Sequence, residues 1–368
     1  MKRILYLSRG GAIGGSQRQL YYVVTNLNHG YEPMVVCRKD GQFSGRLRDC
    51  GVATSVFPLH PWRKFPDALY RYLDAERLTK FARQHKVALV HSCDLWLSGY
   101  LNWVARRLKI PSVLHVRTPI RPEEVRKHRC NRATSIIAIS QRIRRNLISA
   151  GISQEKITLI DDMVDLEVFN PQKVKTNVLR RDFSPSGQVL VGIVGRIGPS
   201  KRQLEFLQAV RLIVGDLRQS VTFFVIGDVY SLEYFKKLKR FVGKSGLNGH
   251  VVFTGRRDDM PQVLSSLDVL VSLSGGSVMF EAMACGKAVV SAGFSTKEDS
   301  VHIQDGLTGV LVSSRRRSEL VCALRRLINT PELQTRIGHQ ARKWAENKFS
   351  HIEMVAKTER LYDQLIQS

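Results

Sequence analysis

The sequence predicts an α/β protein of two doubly wound parallel-sheet domains. Three observations predict it. Short apolar runs alternate with longer amphipathic ones along most of the 368 residues, which is the signature of strand–helix–strand units. That alternation breaks once, between residues 165 and 188, and then restarts. Glycine-rich or small-residue loops follow several of the apolar runs, where doubly wound sheets bind their ligands. A hydrophobic content of 43% with 24% charged residues is that of a globular chain, and its length suits two cores better than one.

In the first half, strands are predicted at Arg3–Ser8, Pro33–Cys37, Thr54–Phe57, Val87–His91, Ser112–Val116, Ser135–Ile139 and Lys156–Ile160. Helical patterns lie between them, including Ser16–Leu27, Pro66–His85 and Leu95–Leu108. Asn170-Pro171, a basic stretch and Ser184-Pro185-Ser186-Gly187 read as a linker. Domain one is therefore set at 1–170, the linker at 171–188 and domain two at 189–349. Beyond the linker, strands are expected at Val189–Val194, Val221–Ile226, Val251–Phe253, Val269–Ser272 and Ala288–Ser291. Helices are expected at about Arg202–Val214, Ser231–Val242 and Val278–Cys285. From Thr330 onward the pattern gives three helices and no strand.

The amino terminus begins like a secretory leader, but the apolar run stops at Ser8 and a glycine loop follows, so a cytoplasmic chain is expected. No apolar run approaches the ~20 residues of a membrane-spanning helix. The six cysteines are scattered without Cys-x-x-Cys spacing, which supports neither a disulfide framework nor a zinc site.

Three loops carry the chemistry. Ser8–Ser16 holds Gly10, Gly11, Gly14 and Gly15 directly after a strand and before a helix, where free amides meet anions. Cys37-Arg38-Lys39 ends the next strand without the acidic residue that a dinucleotide fingerprint requires. Gly195-Arg196 and Lys201 follow the first strand of the second half, and two cations over a helix start suit a diphosphate. Gly275-Gly276-Ser277-Val278 feeds a helix that carries Glu281, a partner either for the helix dipole or for paired hydroxyls. His91 and His115 end neighbouring strands and are open to either structural or functional roles. Asp161-Asp162 and Asp258-Asp259 lack Asp-x-Asp spacing, so no metal site is expected.

Charge is the other signal. The chain carries a formal +25, and residues 1–182 hold 32 Lys and Arg against 15 Asp and Glu. Such an excess attracts polyanions. Nucleic acid is not the expected one, because no basic–aromatic recognition motif is present. Trp62, Arg63 and Lys64, with a following helix bearing Leu69, Arg71, Tyr72 and Leu73, predict a surface for an anionic membrane or a lipid-linked or phosphorylated acceptor. Arg121, Arg126, Lys127, Arg129 and Arg132 would extend it.

Five segments in order resemble glycosyltransferase family 4. They are Gly14–Leu20, Asp165–Pro171, Gly195-Arg196 with Lys201, Asp268–Val271 with Glu281–Ser291, and Asp305–Val312. The resemblance implies the GT-B architecture, two Rossmann-like domains facing each other across a cleft. A carboxy-terminal helix of about 350–368 would pack back on the first domain.

It implies a retaining, metal-independent transfer from a nucleotide sugar, with no cofactor beyond that donor, in bacterial surface polysaccharide or lipopolysaccharide synthesis. Arg196 and Lys201 would neutralise the donor diphosphate and His115 would contact its sugar. Gly14, Gly15, Gly195, Gly276, Ser277 and Val278 would bring backbone to it, and Glu281 would accept from the ribose. One position departs from the pattern: Leu273 stands eight residues before Glu281, where the family usually has a second glutamate. That departure motivates an alternative, a GT-B protein that binds a nucleotide sugar without transferring it.

Overall fold

The computed structural model describes residues 1–11, 13–63, 69–118, 120–174, 177–183, 189–217, 220–292, 302–313 and 316–367. The first elements are β1 (Lys2–Gly10), α1 (Gly15–Asn26), β2 (Tyr31–Lys39), α2 (Gln42–Asp49), β3 (Ala53–Val56) and α3 (Arg71–Gln84). Then come β4 (Val87–Ser92), α4 (Ser98–Leu108), β5 (Ser112–Val116), α5 (Pro122–Lys127), β6 (Ser135–Ala138), α6 (Gln141–Ser149) and β7 (Ile157–Leu159). After α7 (Val178–Phe183) the second series runs β8 (Val189–Val194), α8 (Gln203–Ile213), β9 (Val221–Ile226), α9 (Leu232–Lys244), β10 (Val251–Gly255) and α10 (Met260–Ser266). It ends with β11 (Val269–Ser272), α11 (Ser277–Ala284), β12 (Ala288–Ser291), β13 (Val310–Leu311), α12 (Arg317–Ile328), α13 (Pro331–Lys348) and α14 (His351–Gln367).

The first sheet has the order β3-β2-β1-β4-β5-β6-β7 and the second β10-β9-β8-β11-β12-β13, and every pairing is parallel. Parallel sheets are covered on both faces, so their strands must be apolar on both sides. In the second sheet Val189, Val191 and Ile193 enter one core layer with Phe223, Val225 and Phe206. Leu190 enters the opposite layer with Phe224, Leu270 and Val289. Helices start where side chains can cap them: Ser140 Oγ accepts from the Ile143 amide at 3.3 Å, and Ser231 Oγ accepts from that of Tyr234 at 3.3 Å.

The chain separates into two compact units, Met1–Asp162 with His351–Ser368, and Met163–Ser350. The division therefore falls eight residues before the expected end of domain one. The Val164 amide donates to the Phe349 carbonyl at 2.9 Å and Arg342 donates to that of Phe169 at 2.8 Å, which binds 163–170 to the second unit. Part of the expected linker is α7, whose Val178 and Leu179 are buried in the second unit's core.

Within the first unit α14 lies against α1 and β4. Buried Tyr362 bonds Tyr6 hydroxyl to hydroxyl at 3.0 Å and meets His91 Nδ1 at 2.5 Å. Lys2 and Tyr31 both donate to Asp363, at 3.0 and 2.7 Å.

Smaller differences follow from local chemistry. Two helices, not three, occupy the described residues from Thr330, because α13 runs unbroken over the 18 residues Pro331–Lys348. The helix expected from Pro66 begins at Arg71; residues 64–68 lie outside the described set. The helix expected over Leu95–Leu108 splits into a 3₁₀ turn at Leu95–Leu97 and α4, since Asp94 accepts from the Trp96 amide at 2.9 Å and starts the turn. The two-residue β13 had no legible pattern.

Candidate functional site

A doubly wound sheet binds ligands beyond its carboxyl ends where the strand order reverses. In the second unit that point lies between β8 and β11, paired through Ile193 and Val271, so the loops that follow them emerge side by side. The first holds Gly195, Arg196 and a 3₁₀ turn over Pro199–Lys201; the second holds Ser274-Gly275-Gly276 and opens α11.

Gly195 sits at φ +148°, and its carbonyl is approached so closely by Gly227 that a Cβ on Gly227 would collide with it. Only glycine fits either place. Buried Gln203 holds the same turn, its amide donating to the Arg196 carbonyl at 3.1 Å. Arg202 ties the two loops together, donating to the Leu273 carbonyl at 3.0 Å while it pairs with Glu205.

The stem of Lys201 folds back over Gly195, where a Cβ would meet its Cδ at 3.3 Å. Its Nζ would lie 3.7 Å from a Cβ on Gly276, the residue that caps α11. Lys201 therefore reaches from one loop to the start of the helix on the other. Burial, and secondarily the charge of Arg196, push its pKa down. Among the described residues Lys201 has no carboxylate partner. Arg196 is exposed and lies over the Tyr230 ring, 5.0 Å from its centroid.

The α11 start adds amides with no intrahelical acceptor, those of Ser277 and Val278, and no acidic residue stands in the first turn. Glu281 lies in the second turn, beyond the reach of the dipole effect, and is 6% exposed among Met279, Phe280 and Ala282. Leu273, in place of the family's usual glutamate, is buried in the apolar core.

In the first unit the order reverses between β1 and β4. Arg9, at the carboxyl end of β1, pairs with Asp94 after β4 across that point. Gly14 and Gly15 are exposed at the start of α1, with open space where a Gly15 Cβ would be. His115 is 7% exposed in β5, and its buried Nε2 has no hydrogen-bond partner. Burial, then the neighbouring charges of Arg117 and His91, hold its pKa well below the usual histidine range, so the ring is neutral. Arg117 is paired with Asp162 at 2.6 Å.

One grouping was invisible in the sequence. The parallel pairing of β4 and β5 brings the donor atoms of His91, Cys93 and His115 within 4.8 Å of one another. Two imidazoles and a thiol could hold a soft cation. Burial pushes the Cys93 thiol up to about 12, so it would first have to lose a firmly held proton.

Eight of the residues expected at an acceptor or membrane surface come together, Tyr72, Arg129 and Arg132 among them. With these three, Trp62, Arg63, Arg71, Arg126 and Lys127 line one cavity of about 610 Å³ in the first unit. Lys64 lies outside the described residues. Ala75, Leu78 and Ala82 of α3 are buried in the unit's own core, whereas Tyr72, on the face expected at the surface, is exposed. Leu69 precedes the helix, and it and Leu73 are exposed. No helix of the described residues is long and apolar enough to cross a membrane.

Two family models match in succession. The one described as Glycosyltransferase Family 4 covers residues 13–168, and Glycosyl transferases group 1 covers 175–344. The chain belongs to the group 1 glycosyltransferases of family 4 type. Its two parallel-sheet units are those of the family's GT-B architecture.

The capsular polysaccharide biosynthesis glycosyltransferase CapM of Staphylococcus aureus is 27% identical over 250 residues, 64% of this chain and 63% of that one. The alignment thus spans less than two thirds of that relative's length. A D-inositol 3-phosphate glycosyltransferase of Streptomyces bingchenggensis is 26% identical over 308 residues, 76% of this chain and 67% of the relative. Among solved structures, Anabaena HepE in complex with UDP and glucose superposes with a TM-score of 0.85 at 22% identity, covering 99% of this chain and 100% of that one.

Proposed function

We propose that the protein is a retaining glycosyltransferase that moves a sugar from a nucleotide-sugar donor to a glycan or lipid-linked acceptor. The observation that carries this is Lys201, held partly desolvated beside the start of α11 with Arg196 nearby and no carboxylate partner among the described residues. A cation kept in that state is costly until an anion arrives. The free amides of Ser277 and Val278 converge on the same place. A diphosphate matches this arrangement, and the complex of HepE with UDP supports the reading.

During transfer, negative charge builds on the departing diphosphate. Arg196, Lys201 and the α11 amides stabilise it more in the transition state than in the ground state. Gly195 lets the backbone approach the phosphates. Glu281 accepts from the ribose hydroxyls. Within the first unit, the exposed backbone at Gly15 and the neutral ring of His115, whose Nε2 has no hydrogen-bond partner, are the groups offered to a ligand. Fixed cations and amides supply the charge stabilisation, so the transfer needs no divalent metal. The sugar leaves and is replaced on one face, through an oxocarbenium-like transition state. Surface polysaccharide synthesis is the setting that CapM, a capsular polysaccharide biosynthesis enzyme, suggests.

A second reading, a nucleotide-sugar-binding scaffold without transfer, is motivated by Leu273, which leaves the donor sugar without its usual carboxylate. Calorimetric titration with UDP and other nucleoside diphosphates, followed by donor-hydrolysis assays, separates the two. Binding with turnover supports the enzyme, binding alone supports the scaffold, and no binding defeats both.

A further inference from the structure

The cavity of about 610 Å³ in the first unit is unusual in its charge. Among the described residues, six of its lining cations, Arg63, Arg106, Arg126, Lys127, Arg129 and Arg132, have no carboxylate partner, and none of the lining residues is Asp or Glu. Two further arginines are already engaged. Arg71 donates to the Trp62 carbonyl at 2.9 Å, and Arg107 pairs with Glu76 at 3.0 Å. Like charges are crowded here: burial and then the charge of Arg129 lower the pKa of Arg63. A protein holds such a cluster at a cost that a polyvalent anion offsets.

The same wall carries aromatic rings. Trp62 and Tyr72 flank Trp103 with centroids 6.3 and 5.3 Å away. Trp62 lies so close to Gly99 that a Cβ there would collide with its ring, which fixes it in place. Half-buried rings offer apolar faces to which the C–H faces of a sugar can pack.

A second cavity of about 390 Å³ shares Trp62, Arg63, Gly99, Lys127 and His128 with the first, and its wall reaches Arg9 at the carboxyl end of β1. The two together form an elongated path from the basic cavity to the switch point of the first sheet.

We propose that this path seats the acceptor, and that the acceptor is a phosphorylated saccharide of more than one sugar unit. Its phosphate sits among the six cations, and its unphosphorylated end points toward Arg9. The proposal rests on the glycosyl transfer proposed above. Binding energy gained at the remote phosphate would position the reacting hydroxyl. A cavity of this volume suits a discrete ligand better than a continuous strand of nucleic acid.

The test is calorimetric titration with trehalose 6-phosphate and with trehalose, on the parent protein and on an Arg106→Ala/Arg132→Ala variant. Both arginines are exposed, so the fold is expected to survive, and an unchanged unfolding midpoint checks it. The expected result is binding of the phosphorylated disaccharide about tenfold or more tighter than trehalose, with that gain lost in the variant. UDP affinity, read in parallel, should stay unchanged by the variant. Absence of UDP binding in the parent protein overturns the donor reading and leaves the cavity result to stand by itself. Equal affinity for the two disaccharides, or an unaltered preference in the variant, overturns the proposal. So does arginine-dependent binding to phosphatidylglycerol vesicles without binding of trehalose 6-phosphate, which would assign the surface to a membrane.

Discussion

Replacing Lys201 with methionine removes one charge while keeping much of the stem that packs over Gly195. Among the described residues Lys201 has no ion pair to lose, so the folded protein should be no less stable. Its lowered pKa fixes the sign. A lysine whose folded pKa lies below its unfolded value binds its proton less readily in the native state. It therefore costs stability at neutral pH, and the parent's stability rises between the folded pKa and the usual lysine value. The methionine variant should lose that alkaline rise and keep or gain thermal stability at neutral pH.

Donor binding should move the other way. A hydrogen bond to a charged partner is worth about 1.5–3 kcal/mol, so the Kd for UDP should rise by about 10- to 150-fold. Loss of a preorganised contact to the developing charge should cost about 10²–10³ in turnover. Calorimetry with UDP, donor-hydrolysis rates and thermal unfolding at two pH values read the three effects. A variant with near-parental turnover and UDP affinity, or one destabilised at neutral pH, would refute the reasoning.

Other consequences can be checked separately. Glu281→Gln keeps one acceptor oxygen and should weaken nucleotide affinity more than it slows turnover at saturating donor; collapsed turnover with parental affinity would remove the ribose role. Activity should persist after exhaustive chelation, because fixed cations and amides serve the diphosphate, and full restoration only by added metal would contradict this. Tyr362→Phe strips the hydroxyl that meets both Tyr6 and His91. With those buried partners left unpaired, it should cost about 1–3 kcal/mol of unfolding free energy in denaturant titration, and an unchanged midpoint would show that this helix contributes little through its tyrosine.

The strands and the loops after them were legible because both depend on local sequence. Fully buried parallel strands such as Val189–Val194 need unbroken apolar runs, and the glycine turns at Gly195 and Gly276 lie within a few residues of a strand end. What escaped depends on partners far along the chain. The true start of the second unit is set by Val164 meeting Phe349 and by Arg342 reaching Phe169. β13 exists because Val310 and Leu311 pair with β12, not because two residues carry a strand signal. Arg202, Gln203 and Gly227 hold the Lys201 loop, yet each reads in sequence as an ordinary residue beside a motif. Arg106 and Trp103 on α4 join the basic cavity only after α4 packs beside α3, so that side of the wall could not be foreseen. His91, Cys93 and His115 become neighbours only through strand register.

A retaining enzyme transfers a sugar from its nucleotide donor with the anomeric configuration kept. Proton NMR of the anomeric signal, during turnover of a panel of nucleotide sugars with water or a saccharide acceptor, tests it most directly. At least one donor should be consumed, and the first product formed should carry the donor's own anomeric configuration. A first product of inverted configuration, or donors that bind and are never consumed, would contradict it.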